Sequence, residues 1–197
     1  KDGVQRGFIP SSDYATAGLE VTYNGGGTDV VIPSEINGKK VVAIADNAFT
    51  TNGITPTTIN NTKKVSASYL YNNRNVGTVR KLNISVDGLG ITSVVIPNTV
   101  TRIGYDAFYG NKLTTIVIPS SVTSIGNFAF YGNQLTSITL SDGVESIGSY
   151  AFANNQLTKI IFPSTPLKIE CNAFANNPIT NGGTYTYPSN VTEVCVS

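Results

Sequence analysis

The chain has 197 residues, enough for one domain with a continuous core. Its formal charge is +1 with only 13% charged residues, and Lys39-Lys40, Lys63-Lys64 and Arg80-Lys81 are isolated doublets rather than the basic stripe of a nucleic-acid binder. Histidine is absent, which excludes Ser-His-Asp and Cys-His catalysis and imidazole metal ligation, and no apolar run approaches the ~20 residues that span a bilayer.

Residues 1–29 lie outside the pattern that governs the rest. Leu19 to Tyr23 alternates like a strand, and Asn24 to Gly27 is a turn, so this segment is expected to form a hairpin cap. The solenoid grammar begins at Val30-Val31-Ile32-Pro33, an apolar strand stopped by proline, which has no N–H for a ladder. Ala43 to Phe49 completes that first coil, with Glu35 to Lys40 as an exposed insertion. From Ile54 to Gly90 the same grammar is degraded. Val65 and Leu70 stand in for its Ile and Phe, and 75–90 reads as a shortened coil.

From Ile91 the pattern is regular. Copies open at Ile91, Leu113, Leu135 and Leu157, a period of 22, and Ile179 opens a truncated fifth. A fixed period in this range marks a solenoid in which each coil stacks on the next. Ile91, Val94 and Ile96, with their counterparts in later coils, point inward at strand spacing. A second short extended piece carries Ile103, Ile125, Ile147 and Ile169. Five residues later an Ala-Phe pair gives the column Phe108, Phe130, Phe152 and Phe174, expected in a helical turn that fills the coil. Gly104, Gly126 and Gly148 mark a corner that needs a positive φ or a close backbone approach. Asn111, Asn133, Asn155 and Asn177 form a column suited to pairing backbone groups between coils. The solenoid is thus read over 30–178, with residues 179–197, rich in Tyr, Thr and Gly, as a C-terminal cap. Cys171 and Cys195 lie about one coil apart. They are expected to form a disulfide, with an oxidising compartment, the alternative being two unpaired thiols.

The segment from Val122 to Phe130, followed by Asn133 to Leu140, resembles the BspA-like class of leucine-rich repeats, as does the run Ile32 to Val41. The resemblance covers roughly residues 28–180. It implies a right-handed, β-rich solenoid with parallel strands, secreted or attached to a bacterial or protist cell surface, generally within a larger protein. It also implies adhesion to host matrix proteins or other bacteria, and it supplies no catalytic residues or cofactor.

The outward positions of the opening strands are Ser93 and Val95, Thr115 and Val117, Ser137 and Thr139, Lys159 and Ile161. They make a broad, weakly charged platform for a protein, or for a glycan, although Val, Ile and Thr are also simply good strand residues. Tyr105, Tyr109, Tyr131 and Tyr150 cluster in the other half of the coils, where they either anchor a ligand or pack on each other. The Thr column Thr92, Thr114, Thr136 and Thr158 lacks the second, parallel Thr column that ice binding requires. Carboxylates are the only plausible acid–base groups, and Asp106, Asp142 and Glu145 among them sit on variable turns where no cleft is expected. The expected function is therefore that of a monomeric, non-catalytic extracellular adhesion module that recognises a macromolecule of a host or neighbouring cell through the strand face. The alternative is a spacer that projects another domain. No nucleic acid, metal or membrane insertion is expected.

Overall fold

The computed structural model describes residues 8–11, 19–23, 27–36, 38–50, 88–180 and 186–195. Each coil makes two short extended pieces joined by corners, and the pieces stack in two separate files. The first file holds β3 (Asp29–Val31), β6 (Ser93–Val95), β9 (Ser137–Thr139) and β11 (Lys159–Ile161). β3 pairs in parallel with β6, and β9 with β11, while Val117 bridges to Thr139 between them. In each strand the middle residue is buried and its two neighbours are exposed, the pattern of a sheet wet on one face.

The second file is the more continuous one. It runs β5 (Lys39–Ile44), β7 (Arg102–Ile103), β8 (Ser124–Ile125), β10 (Ser146–Ile147), β12 (Leu167–Glu170) and β13 (Val191–Val194), all in parallel. The sequence assigns the main strand to the opening half of the coil, whereas the nine-stranded sheet forms in the other half. Glycine explains this. A Cβ on Gly104 would lie 2.5 Å from the Asp46 nitrogen, and one on Gly126 would lie 2.7 Å from the Tyr105 nitrogen, so these backbones are in direct contact. The glycine amides donate to Ile44, Ile103 and Ile125, each at 2.9 Å.

Positive φ falls instead two residues further on, at Asn47, Asp106, Phe128, Tyr150 and Asn172. The Ala-Phe segment is correspondingly not helical. It is a pair of tight turns, as in the Ala107 amide bonding the Gly104 carbonyl and the Tyr109 amide bonding the Asp106 carbonyl. The one 3₁₀ segment among the described residues is Pro178–Thr180.

Phenylalanines at 49, 108, 130, 152 and 174 are fully buried and stacked, with successive ring centroids 4.5–5.5 Å apart. Tyr23 lies on Phe49 at one end, and Tyr187 and Phe162 lie against Phe174 at the other. The asparagine column closes the corners. Asn133 Oδ1 accepts from the Leu113 amide at 3.1 Å, and its Nδ2 donates to the carbonyls of Phe108 and Phe130 at 2.8 and 3.1 Å. Asn155 and Asn177 repeat this scheme, and Asn111 accepts from Ile91 and donates to Phe49. One side chain thus satisfies three buried backbone groups on two levels.

At the N-terminal end, β1 (Phe8–Ser11) pairs antiparallel with β2 (Leu19–Tyr23), and β2 adds to β5 in parallel. The strand at 19–23 therefore pairs upstream rather than across the glycine turn. β4 (Glu35–Ile36) folds back on β5 as the exposed insertion. The readings at Ile54, Val65 and Leu70 lie outside the described residues. However, β3 pairs directly with β6, β5 with β7, and Phe49 stacks directly on Phe108. Thr50 bridges Gly88, so the described segments on either side of 51–87 meet directly.

Replacing Phe130 by Ala removes a ring sandwiched between two others and is expected to cost about 3–5 kcal/mol. Asn133→Ala strands three buried polar groups and is expected to cost about 2–4 kcal/mol. Urea unfolding followed by far-UV circular dichroism measures both, and a loss below 1 kcal/mol at either position contradicts its assigned role.

Candidate binding surface

All eight outward residues read from the sequence are exposed: Ser93, Val95, Thr115, Val117, Ser137, Thr139, Lys159 and Ile161. They lie in two adjacent columns, with Thr139 in register with Ile161 and with Val117, and Ser137 with Lys159. The structure adds two residues that the list omitted. β3 places Asp29 beside Ser93 and Val31 beside Val95. The signal was present in the match of Val30-Val31-Ile32-Pro33 to the later strands, since an inward Val30 makes its two neighbours outward. The apolar column therefore reads Val31, Val95, Val117, Thr139, Ile161. Exposure is 53, 59, 80 and 45% at its Val31, Val95, Val117 and Ile161. Those four are all but one of the large exposed apolar side chains among the described residues.

The neighbouring column is polar. Ser93 Oγ donates to Asp29 Oδ1 at 2.7 Å and Thr92 Oγ1 donates to the same oxygen at 3.2 Å. The threonine column is used along the ladder, with Thr158 Oγ1 donating to the Thr136 carbonyl at 3.3 Å and Thr92 Oγ1 to Thr28 at the same distance. Apart from Asp29 and Lys159, the surface is uncharged and rich in β-branched side chains. It offers contact area.

The tyrosines fall into two files on the turns. Tyr109 stacks on Tyr131 at 4.9 Å, and Tyr105, Phe128 and Tyr150 form the other, with Phe128 and Tyr150 stacked at 5.1 Å. Phe128 escaped the sequence reading because its left-handed backbone, φ 57°, turns it away from the buried Phe column. Asn154 donates to the Tyr131 hydroxyl and Asn172 to that of Tyr150. The stacked rings cover each other's faces, so these files hold neighbouring coils together. Cys171 and Cys195 are joined in a disulfide, with Cα atoms 4.9 Å apart, which fastens β13 beside the last coil. Among the described residues no helix is long and apolar enough to cross a membrane.

The sequence pattern of the BspA type leucine rich repeat region matches residues 85–196, in six copies. No protein of curated function matches the chain. Three solved structures share the fold. The T. pallidum leucine rich repeat protein is 21% identical, with a TM-score of 0.55 over 87% of this chain and 72% of that one. The pneumococcal vaccine antigen PcpA is 23% identical, with a TM-score of 0.51 over 81% of this chain and 37% of that one. A leucine rich cell surface protein from Faecalibacterium prausnitzii is also 23% identical, with a TM-score of 0.51 over 95% of this chain and 48% of that one. The chain thus spans less than half of the latter two.

The three carboxylates named from the sequence do not work as a group. Asp142 accepts from the Ser164 amide and hydroxyl in the next coil, Glu145 is exposed, and Asp106 is buried in the left-handed turn column. Asp106 was not foreseen as a perturbed group. Its Oδ1 has no hydrogen-bond partner, and burial pushes its pKa up from 3.8 to about 7. A hydrogen bond with Tyr105 opposes the shift and nearby Asp46 reinforces it. Between about pH 4 and 7 the folded chain therefore binds more protons than the unfolded one. Stability is full below this window and falls as pH rises through it. Asparagine already occupies the same left-handed position at Asn47 and Asn172. Asp106→Asn is therefore expected to raise the melting temperature at pH 8 and to flatten its dependence between pH 4 and 7. An unchanged melting profile from pH 4 to 8 contradicts the assignment.

Proposed function

Because the chain belongs to the BspA type leucine-rich-repeat family, we propose that it is a non-catalytic extracellular binding module that recognises a macromolecule of a host or neighbouring cell through its strand face. One observation carries the reading. The exposed apolar side chains are concentrated in a single column that crosses the stacked levels, on a surface with little charge. Scattered exposed valines need no explanation, whereas a contiguous strip marks a place for a partner. A protein suits the strip better than a glycan, since β-branched side chains offer apolar area and few fixed donors. Leucine-rich repeats of this family are generally non-catalytic and mediate interactions, and one structural relative is described as a cell surface protein. The Cys171–Cys195 disulfide supports an oxidising, extracellular setting. The competing reading as a spacer assigns the strip no partner.

Simultaneous change of Thr115, Val117, Ser137, Thr139, Lys159 and Ile161 to Asp separates the two. Each side chain is exposed, so circular dichroism is expected to be unchanged. Adhesion of the purified chain to host-matrix or bacterial-cell surfaces is expected to fall at least tenfold. Undiminished adhesion of the folded variant leaves only the spacer.

A further inference from the structure

We infer that the strand face pairs with the same face of a second copy of this chain, so that the neighbouring-cell partner of the proposed binding function is the protein itself. This rests on that reading of the face and adds the identity of the partner. It replaces the monomer that the sequence suggests with a weak, reversible, two-fold contact.

Charge complementarity carries the argument. The polar column reads Asp29, Ser93, Thr115, Ser137, Lys159 from one end of the stack to the other. The acid stands at one terminal level, the base at the opposite one, and uncharged residues lie between. Among the described residues, hydroxyl groups alone hold Asp29 Oδ1, through Ser93 and Thr92, and no cation pairs with it. Lys159 is exposed at the far end. These charges are four levels apart, about 20 Å at ~4.8 Å per level, so within one molecule they cannot meet.

Two face-to-face arrangements are two-fold. An axis along the stack keeps each level but exchanges the columns, setting Asp29 against Val31 and Lys159 against Ile161 of the second copy. An axis along the strands, through the Thr115–Val117 level, reverses the stack of the second copy. Asp29 then meets Lys159 twice, Val31 meets Ile161, Val95 meets Thr139, and Val117 meets itself on the axis. The most exposed apolar residue therefore lies at the centre of the contact, with an ion pair at each end. Such a surface is isologous and self-closing, so it makes pairs and not fibres. One strand width over about 20 Å buries much less than the ~800 Å² per partner of a stable complex. The contact is therefore weak in solution and strong only between densely coated surfaces, through avidity.

Beads densely coated with the full chain test this. Wild-type beads are expected to clump, with less clumping at 0.5 M salt. Beads carrying Asp29→Lys face base with base and stay dispersed; beads carrying Lys159→Asp face acid with acid and also stay dispersed. Mixed together, the two kinds clump, as do beads carrying both changes in one chain. Val117→Asp sets like charges on the axis and reduces clumping at least tenfold while leaving circular dichroism unchanged. Dispersed wild-type beads, or a mixture of the two single variants that stays apart, overturns the inference. Adhesion of those same wild-type beads to heterologous surfaces then shows that only self-pairing, and not recognition by the face, has failed.

Discussion

A coil can bury its aliphatic and aromatic side chains only if its sharpest corner hides no unpaired backbone group. One asparagine per coil meets that condition. Asn111, Asn133, Asn155 and Asn177 each accept from an opening amide and donate to phenylalanine carbonyls of the level below, and the last three also to their own. Because Asn carries both donor and acceptor on a short side chain, it fixes the spacing between levels as well as the turn. The Phe rings then stack by consequence, at a separation close to that of the strands themselves. Aspartate lacks the donor and glutamine has a longer stem, so neither fills this role at the same corner.

This arrangement separates what holds the molecule together from what it shows to others. The phenylalanine spine, the asparagine corners and the aromatic files on the turns all bind level to level. None of them contributes to the strip from Val31 to Ile161. That strip can therefore vary from coil to coil, as the alternation of Val, Thr and Ile shows, while the interior remains nearly identical. Asp106 is an exception to the tidy interior. Its turn position demands positive φ, and the carboxylate that occupies it is buried beside Asp46 without a full set of partners.

Periodicity made most of the architecture legible. The inward columns, the Phe stack and the Asn corners follow from a 22-residue period, because a repeated residue in a solenoid is a repeated contact. Three things were hidden for physical reasons. The longer sheet depends on how closely glycine lets backbones approach, which spacing alone does not rank against a strand of alternating apolar residues. The left-handed column holds Asn, Asp, Phe, Tyr and Asn, a mixture with no common signature. The direct pairing of β3 with β6 and of β5 with β7 joins segments far apart in sequence, which a 22-residue period does not foretell. On the face, the sequence supplied eight outward residues but not Asp29 and Val31, whose meaning depends on lying in register with Ser93 and Val95 at the end of the stack.

The bridge between Thr50 and Gly88 has a consequence for how such a chain can diversify. A segment whose two ends are neighbours on one level imposes no strain on the levels above and below, whatever its content. The entropic penalty of closing it grows only as the logarithm of its length, about 0.6 kcal/mol for each doubling. Insertions, deletions or wholesale exchange at this point leave the register of every other coil untouched. The junction therefore acts as a cassette slot in an otherwise rigid rod.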